Sequence, residues 1–162
     1  MNDTNTLTTL FGHNLWANTK LLELCAGLSD EQLDATIIGT FGTIRETVQH
    51  IVTAERSYFS RISTGQPFRR PEDEAPLSMA AVLELTRSTG AGFVEWATKV
   101  QGDETVAVDW DGTIHNIPKA IILTQAINHA TEHRSQIMAI LTQLGIEPPE
   151  LDGWSYFLAQ EN

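Results

Sequence analysis

Five histidines, His13, His50, His115, His129 and His133, are the side chains of this sequence best suited to metal or proton chemistry. Two of them belong to one segment, His129-Ala-Thr-Glu-His133. On a helical wheel His133 lies about 40° from His129; Ile122, Ala126, Ile140 and Leu144 fall within about 60° of His129, and Ile137 about 40° from His133. The spacing therefore sets two imidazoles inside an apolar stripe. Each ring nitrogen buried there needs a hydrogen-bond partner or a metal. Neutral imidazoles converging from positions i and i+4 are natural ligands for a zinc-type ion. The competing reading is that each ring bonds a neighbouring helix and no metal is held.

A metal would need a third ligand. His50 ranks first on spacing, because it flanks an apolar stripe beside the small residues Thr43, Thr47 and Ala54, which leave room for a pocket. His13 and His115 rank lower. His13 has no histidine three or four positions away, and His115 belongs to a predicted β-hairpin. Glu132 completes the pattern H-x-x-E-H, the inverted zincin motif, which belongs to larger chains with a distant carboxylate ligand; we read the match as coincidence. Cys25 stands alone, which excludes an internal disulfide and a multi-cysteine zinc site, and its place in an apolar stripe makes it core. Trp16 and Tyr58 are of a type that lines pockets. No glycine-rich phosphate loop, G-x-S-x-G elbow or kinase signature is present, so nucleotide binding and serine hydrolysis have no support.

These residues need elements to position them. Leu7, Leu10, Phe11, Leu15, Leu21, Leu22, Cys25 and Leu28 recur at three and four, predicting a helix over 6–28. Ser29 with Gln32 forms a capping box for a short turn through Leu33, and Thr43 with Glu46 opens a second long helix to about Ser63. Its stripe is Ile44, Val48, Ile51, Val52, Phe59 and Ile62. Glu46, one turn before His50, is placed either to orient that ring or to serve only its cap. The stretch 64–76 holds three prolines and reads as a long loop. A third helix spans 78–100, with Gly90 and Gly92 weakening its middle by up to ~1 kcal/mol each relative to alanine. Asp111-Gly112 between β-prone runs 105–110 and 113–115 predicts a small hairpin. Pro118 suits the first turn of a fourth long helix ending at Leu144, stopped by Gly145 and Pro148-Pro149. The tail carries Trp154, Tyr156 and Phe157 and is expected to pack back on the body.

Four long helices with a minor hairpin predict an all-α four-helix bundle in one domain, 1–162. Thirteen loop residues reach ~43 Å extended, enough to run the length of a helix of about 30 Å; the second and third helices are then free to be parallel. The 162 residues carry 21 acidic and 10 basic side chains, a formal charge of −11. Three lysines and seven arginines, with Arg69-Arg70 the nearest thing to a cluster, make nucleic acid and anionic membrane poor partners. No apolar run approaches a membrane span, and the opening MNDTNTLTTL shows no signal-peptide pattern, so a cytoplasmic protein is expected.

Three segments, Leu15-Trp16-Ala17-Asn18, Thr47-Val48-Gln49-His50-Ile51 and Asn128-His129-Ala-Thr-Glu-His133-Arg134-Ser-Gln136-Ile137, resemble the DinB/YfiT-like superfamily of small metal-binding proteins. The hairpin before the last long helix and the ending Gly145-Ile-Glu-Pro-Pro-Glu-Leu-Asp152 fit the same likeness, which runs nearly the whole chain. The resemblance implies an up-down-down-up four-helix bundle, a homodimer, and a divalent ion, zinc or nickel foremost, held by His50, His129 and His133. The family name derives from damage inducibility, which suggests a link to stress response and does not imply DNA binding. Some members of the superfamily transfer or isomerise with a low-molecular-weight thiol such as bacillithiol or mycothiol. Three neutral histidines leave an open fourth position, where a thiol or a water would be activated for transfer, isomerisation or hydrolysis. The alternative is a non-catalytic stress protein that binds metal or a small molecule.

Overall fold

The computed structural model describes residues 5–68, 70, 71 and 75–161. Residues 1–4 of the opening stretch, Arg69 of the arginine pair and 72–74 of the expected loop lie outside the described residues. In chain order the elements are α1 (Thr6–Ala26), a short α2 (Asp30–Leu33), α3 (Ile44–Thr64), α4 (Met79–Trp96) with a 3-10 turn at Ala97–Lys99, β1 (Thr105–Trp110), β2 (Thr113–Pro118), α5 (Lys119–Gln143) and α6 (Gly153–Gln160). The fold is mostly helical. α1 and α3 each pack against both α4 and α5, so those two lie between them.

Local chemistry sets the boundaries. Both expected capping boxes form, Ser29 with Gln32 and Thr43 with Glu46. Ser78 and Asp152 cap α4 and α6 through their side-chain oxygens. Gly65 and Gly145 end α3 and α5 at φ of 75° and 73°, a left-handed conformation that costs a residue with a Cβ dearly. Asp111 and Gly112 both take positive φ, as a two-residue hairpin turn requires, and Asp109 Oδ1 accepts from the Gly112 N–H at 2.8 Å. The hairpin runs further than its composition suggests, pairing Thr105 with Pro118, so Pro118 ends a strand and caps α5 instead of opening it.

The core is divided. One apolar cluster gathers Leu21, Leu22, Cys25, Ile44, Val48, Ile51, Ile137 and Ile140. The other gathers Phe11, Ile62, Phe93, Val106, Ile122 and Ala126. Between them in α1, α3 and α5 lie buried polar residues: Asn14 and Asn18 in α1, Glu55 in α3, and His129, His133 and Arg134 in α5. This polar layer crosses the molecule at mid-height.

Several expectations need correction. Leu10 and Leu144 are exposed, not core; Leu144 lies past the last turn of α5, where the wheel no longer applies. The tail forms a helix that the aromatic count alone does not reveal. It packs back through Tyr156, whose ring lies 5.5 Å from Trp16 and 5.6 Å from His13, while Trp154 and Phe157 stay exposed. Gly90 and Gly92 are not merely weak points of α4. A Cβ on Gly90 would lie 2.5 Å from Leu15 Cδ1 and 3.0 Å from Leu15 Cβ, and one on Gly92 would lie 2.4 Å from Phe59 Cζ. Their bare backbone lets α4 approach α1 and α3.

Gly90→Ala therefore sets a propensity gain of ~1 kcal/mol against overpacking of about 1–3 kcal/mol. We expect a net loss of about 1 kcal/mol in urea unfolding. A midpoint equal to or above the parent's would show that α1 and α4 do not need the close approach.

Candidate metal centre

α3 presents His50 and α5 presents His129 and His133 to one point. Their ligand-capable nitrogens all lie within 4.8 Å of one another. The ring centroids are 4.7 Å apart for His50–His129, 4.8 Å for His50–His133 and 4.4 Å for His129–His133. His129 and His133 are buried and His50 is half-buried. Among the described residues no carboxylate or thiol joins the cluster. The three histidines singled out on spacing and resemblance thus converge, and they form a group able to hold a metal ion. His13 and His115 do not join them. His13 Nε2 donates to the Leu151 carbonyl at 2.7 Å and helps dock the C-terminal segment. His115 sits on the exposed hairpin against Trp110.

The donor chemistry fits a divalent cation. Burial, followed by the neighbouring imidazoles His133 and His50, pulls the His129 pKa down to about 4. Burial and His133 lower His50 as well. Both rings are therefore neutral near pH 7, with a lone pair to offer. His133 Nδ1 is 2.8 Å from Gln136 Oε1, an oxygen that only accepts, so Nδ1 donates and Nε2 is the nitrogen left to act as a ligand. The same Gln136 oxygen accepts from the Phe41 N–H at 3.2 Å. This is the outer support that ligating histidines commonly have. His129 differs: its Nδ1 is buried without a partner, and its Nε2 lies 2.9 Å from His50 Nε2. That ring is satisfied only through Nε2, by a proton shared with His50 or by an ion.

Aromatic rings close the surroundings. Phe41, on the loop between α2 and α3, stacks on His50 at 4.1 Å and stands edge-on to His133 at 5.3 Å. Tyr58 stands edge-on to His129 at 5.7 Å. Trp16, the other aromatic candidate, instead contacts His13 and Tyr156. Glu46 serves its cap: Oε2 accepts from the Thr43 N–H at 2.8 Å. Cys25 is buried core, and desolvation pushes its thiol up to about 12, which keeps it protonated and inert.

Beneath the histidines lies a network that the spacing argument passed over. Glu55 Oε1 accepts from Asn14 Nδ2 at 2.7 Å and Asn18 Nδ2 at 2.8 Å. Arg134 Nη1 donates to the carbonyl oxygens of the same two amides at 2.7 and 2.6 Å, and Nη2 donates to Thr131 Oγ1 at 2.9 Å. The asparagines bridge a buried carboxyl and a buried guanidinium, joining α1, α3 and α5. Burial pushes the Glu55 carboxyl up, opposed by both amides and by Arg134; burial draws Arg134 down to about 10. The signal was present: Asn14 and Asn18 are i and i+4 within an apolar stripe, as the histidines are. Glu55 falls on the α3 stripe seven positions after Val48. Phe41 and Gln136 carry no such periodic signal as members of the site.

Glu55→Ala would leave two amide donors buried without their acceptor and a buried guanidinium without its counter-charge. We expect a loss of about 3–5 kcal/mol, against a smaller loss for Glu55→Gln, which keeps one oxygen; chemical denaturation distinguishes them. Equal stability of Glu55→Ala and parent would show that the network does not hold the helices.

Comparison with known proteins agrees with this architecture. The crystal structure of a DinB-like protein from Bacillus cereus ATCC 10987 is similar, with a TM-score of 0.60 and 27% identity, covering 85% of this chain and 90% of that one. No curated protein matches. The DinB family description matches residues 1–162. With its helical frame and its cluster of three histidines, the chain belongs to the DinB family.

Proposed function

We propose that this protein is a metal-dependent enzyme whose divalent ion, zinc or nickel, is held by His50, His129 and His133. The observation that carries the reading is the convergence of three imidazoles from two helices with no fourth side-chain ligand among the described residues. Structural zinc sites are closed by four protein ligands, whereas catalytic ones keep a position open. When bound, such an ion supplies positive charge that lowers the pKa of a thiol or water beside it. The chain's own part is to hold the three rings in place, to orient His133 through Gln136, and to shield the centre with Phe41 and Tyr58. The substrate side is a low-molecular-weight thiol or water, used for transfer, isomerisation or hydrolysis.

The rest of the reading follows from family membership and packing. The contacts of α1 and α3 with both α4 and α5 support an up-down-down-up four-helix bundle forming one domain over 1–162. Thiol activation needs a reduced thiol pool, which favours the cytoplasm. Among the described residues no helix is long and apolar enough to cross a membrane.

His133→Ala tests the centre. Losing one of three ligands should remove tight metal binding and any thiol-dependent turnover. The helical fold should survive, with a cavity cost of a few kcal/mol, offset in part because a polar ring has left an apolar stripe. Metal content, circular dichroism and the thermal midpoint report this, on protein purified without a nickel column. Stoichiometric metal in the variant would show that His133 is not a ligand. Failure to fold even with excess metal would mark the cluster as structural.

Assembly as a homodimer completes the proposal, since homo-oligomers of this size favour two-fold pairing. Sedimentation of a dilute sample should give twice the chain mass of 17.9 kDa. A species at the single-chain mass would overturn it.

A further inference from the structure

A cavity of about 510 Å³ lies along the groove between α3 and α5, under the hairpin. Tyr58 stands between it and the histidine cluster, lining the cavity and standing edge-on to His129. Ala54 and Gln125, one turn from His50 and His129 respectively, line the near end. Its walls are largely apolar, from Val108 and Trp110 of the hairpin and Ile121 and Ile122 of α5. The far end holds Arg61. Its guanidinium folds back one turn, Nη1 donating to the Ser57 hydroxyl and to the Ser57 carbonyl at 3.3 Å. Nε and Nη2 have no partner among the described residues. Among the described residues no carboxylate pairs with Arg61, whereas Arg45 and Arg87 are each paired with carboxylates and Arg56 lies over the Phe68 ring.

We propose that this cavity binds a small organic carboxylate with an apolar body, the carboxylate on Arg61 and the body against Trp110 and Ile121. The volume falls in the range of small-molecule sites, and an apolar lining with one charged group is their usual composition. A guanidinium whose Nε and Nη2 have no partner among the described residues matches a carboxylate's two oxygens. The chain's net charge repels anions at long range, so selection of an anion must come from a local, partly shielded cation such as this one. Seven residues of α3 separate His50 from Ser57, about 10 Å along the axis. A ligand anchored at Arg61 has room to extend toward Ala54 and Gln125, the end of the cavity nearer the three histidines. That this ligand is the substrate rests on the metalloenzyme reading above; that it binds does not.

The test uses the full chain, both as purified and after chelation, titrated calorimetrically with 4-phenylbutyrate and with its neutral amide. We expect saturable binding of the acid to both preparations, and binding of the amide about tenfold weaker or less. Arg61→Met should weaken the acid about tenfold or more and leave the amide unchanged. The thermal midpoint of Arg61→Met checks that it folds; should it not fold, the acid–amide comparison on the parent decides alone. Equal binding of acid and amide, or no saturable binding of either, overturns the proposal. So does protection of Trp110 from acrylamide quenching by self-association without acid binding, which would make this face an interface between copies. Metal content is measured in parallel. Acid binding retained in a chain that takes up no metal would sink the metal centre and leave the cavity assignment standing; metal without acid binding would do the reverse.

Discussion

A carboxyl group with almost no access to water, Glu55, faces a buried guanidinium, Arg134, across two asparagine side chains. Neither charged group would be tolerable there alone, because burying an unpaired ion costs several kcal/mol. Each asparagine gives its N–H to Glu55 and its carbonyl to Arg134, so the pair is satisfied only when α1, α3 and α5 stand at one height relative to one another. Apolar packing by itself is permissive about sliding. A helix stripe of leucine and isoleucine packs nearly as well one turn away, whereas this network has one register. The placement of His50 opposite His129 and His133 depends on it.

The network and the histidines share one layer, and that layer separates the two apolar clusters. Arg134 follows His133 directly, and Glu55 lies five residues after His50. Any shift of α5 against α3 would thus strand both the charges and the imidazoles. The same burial that makes the network exacting also tunes the site. Desolvation holds His129 and His50 neutral, and Gln136 decides which nitrogen of His133 is left to act as a ligand. The site is prepared by the cost of charge in a poorly hydrated layer, relieved at fixed points by hydrogen bonds.

Surface charge works on another scale. The excess of acidic residues surrounds the molecule with a negative potential that disfavours phosphate backbones and anionic lipids. It also sharpens the role of the few cations held inside. Arg134 is consumed by structure, while Arg61 has no carboxylate partner among the described residues. The glycines of α4 belong to the same economy of space, since they bring α4 close to Leu15 of α1 and Phe59 of α3 without a side chain between.

The sequence by itself determined the helices, their caps and stops, the hairpin turn and the inward-facing histidine pair, because each depends on residues within one or two turns of each other. Thr43 with Glu46, Asp111-Gly112 and Gly145 read correctly for that reason. It determined less at element ends: β2 runs on to Pro118 because strand pairing rewards residues that are unremarkable alone, and α6 forms where only aromatic content was visible. Spacing ranked His50 ahead of His13 and His115 but did not bring it to the pair, since His50 and His129 are 79 positions apart. Only the packing of α3 on α5 decided that. Tertiary structure alone likewise decided that Phe41 covers the cluster, that Gln136 orients His133, and that two asparagines of α1 join a glutamate and an arginine from other helices. Contacts between distant segments are set by how whole helices pack, and periodicity within one helix carries no information about what stands across from it.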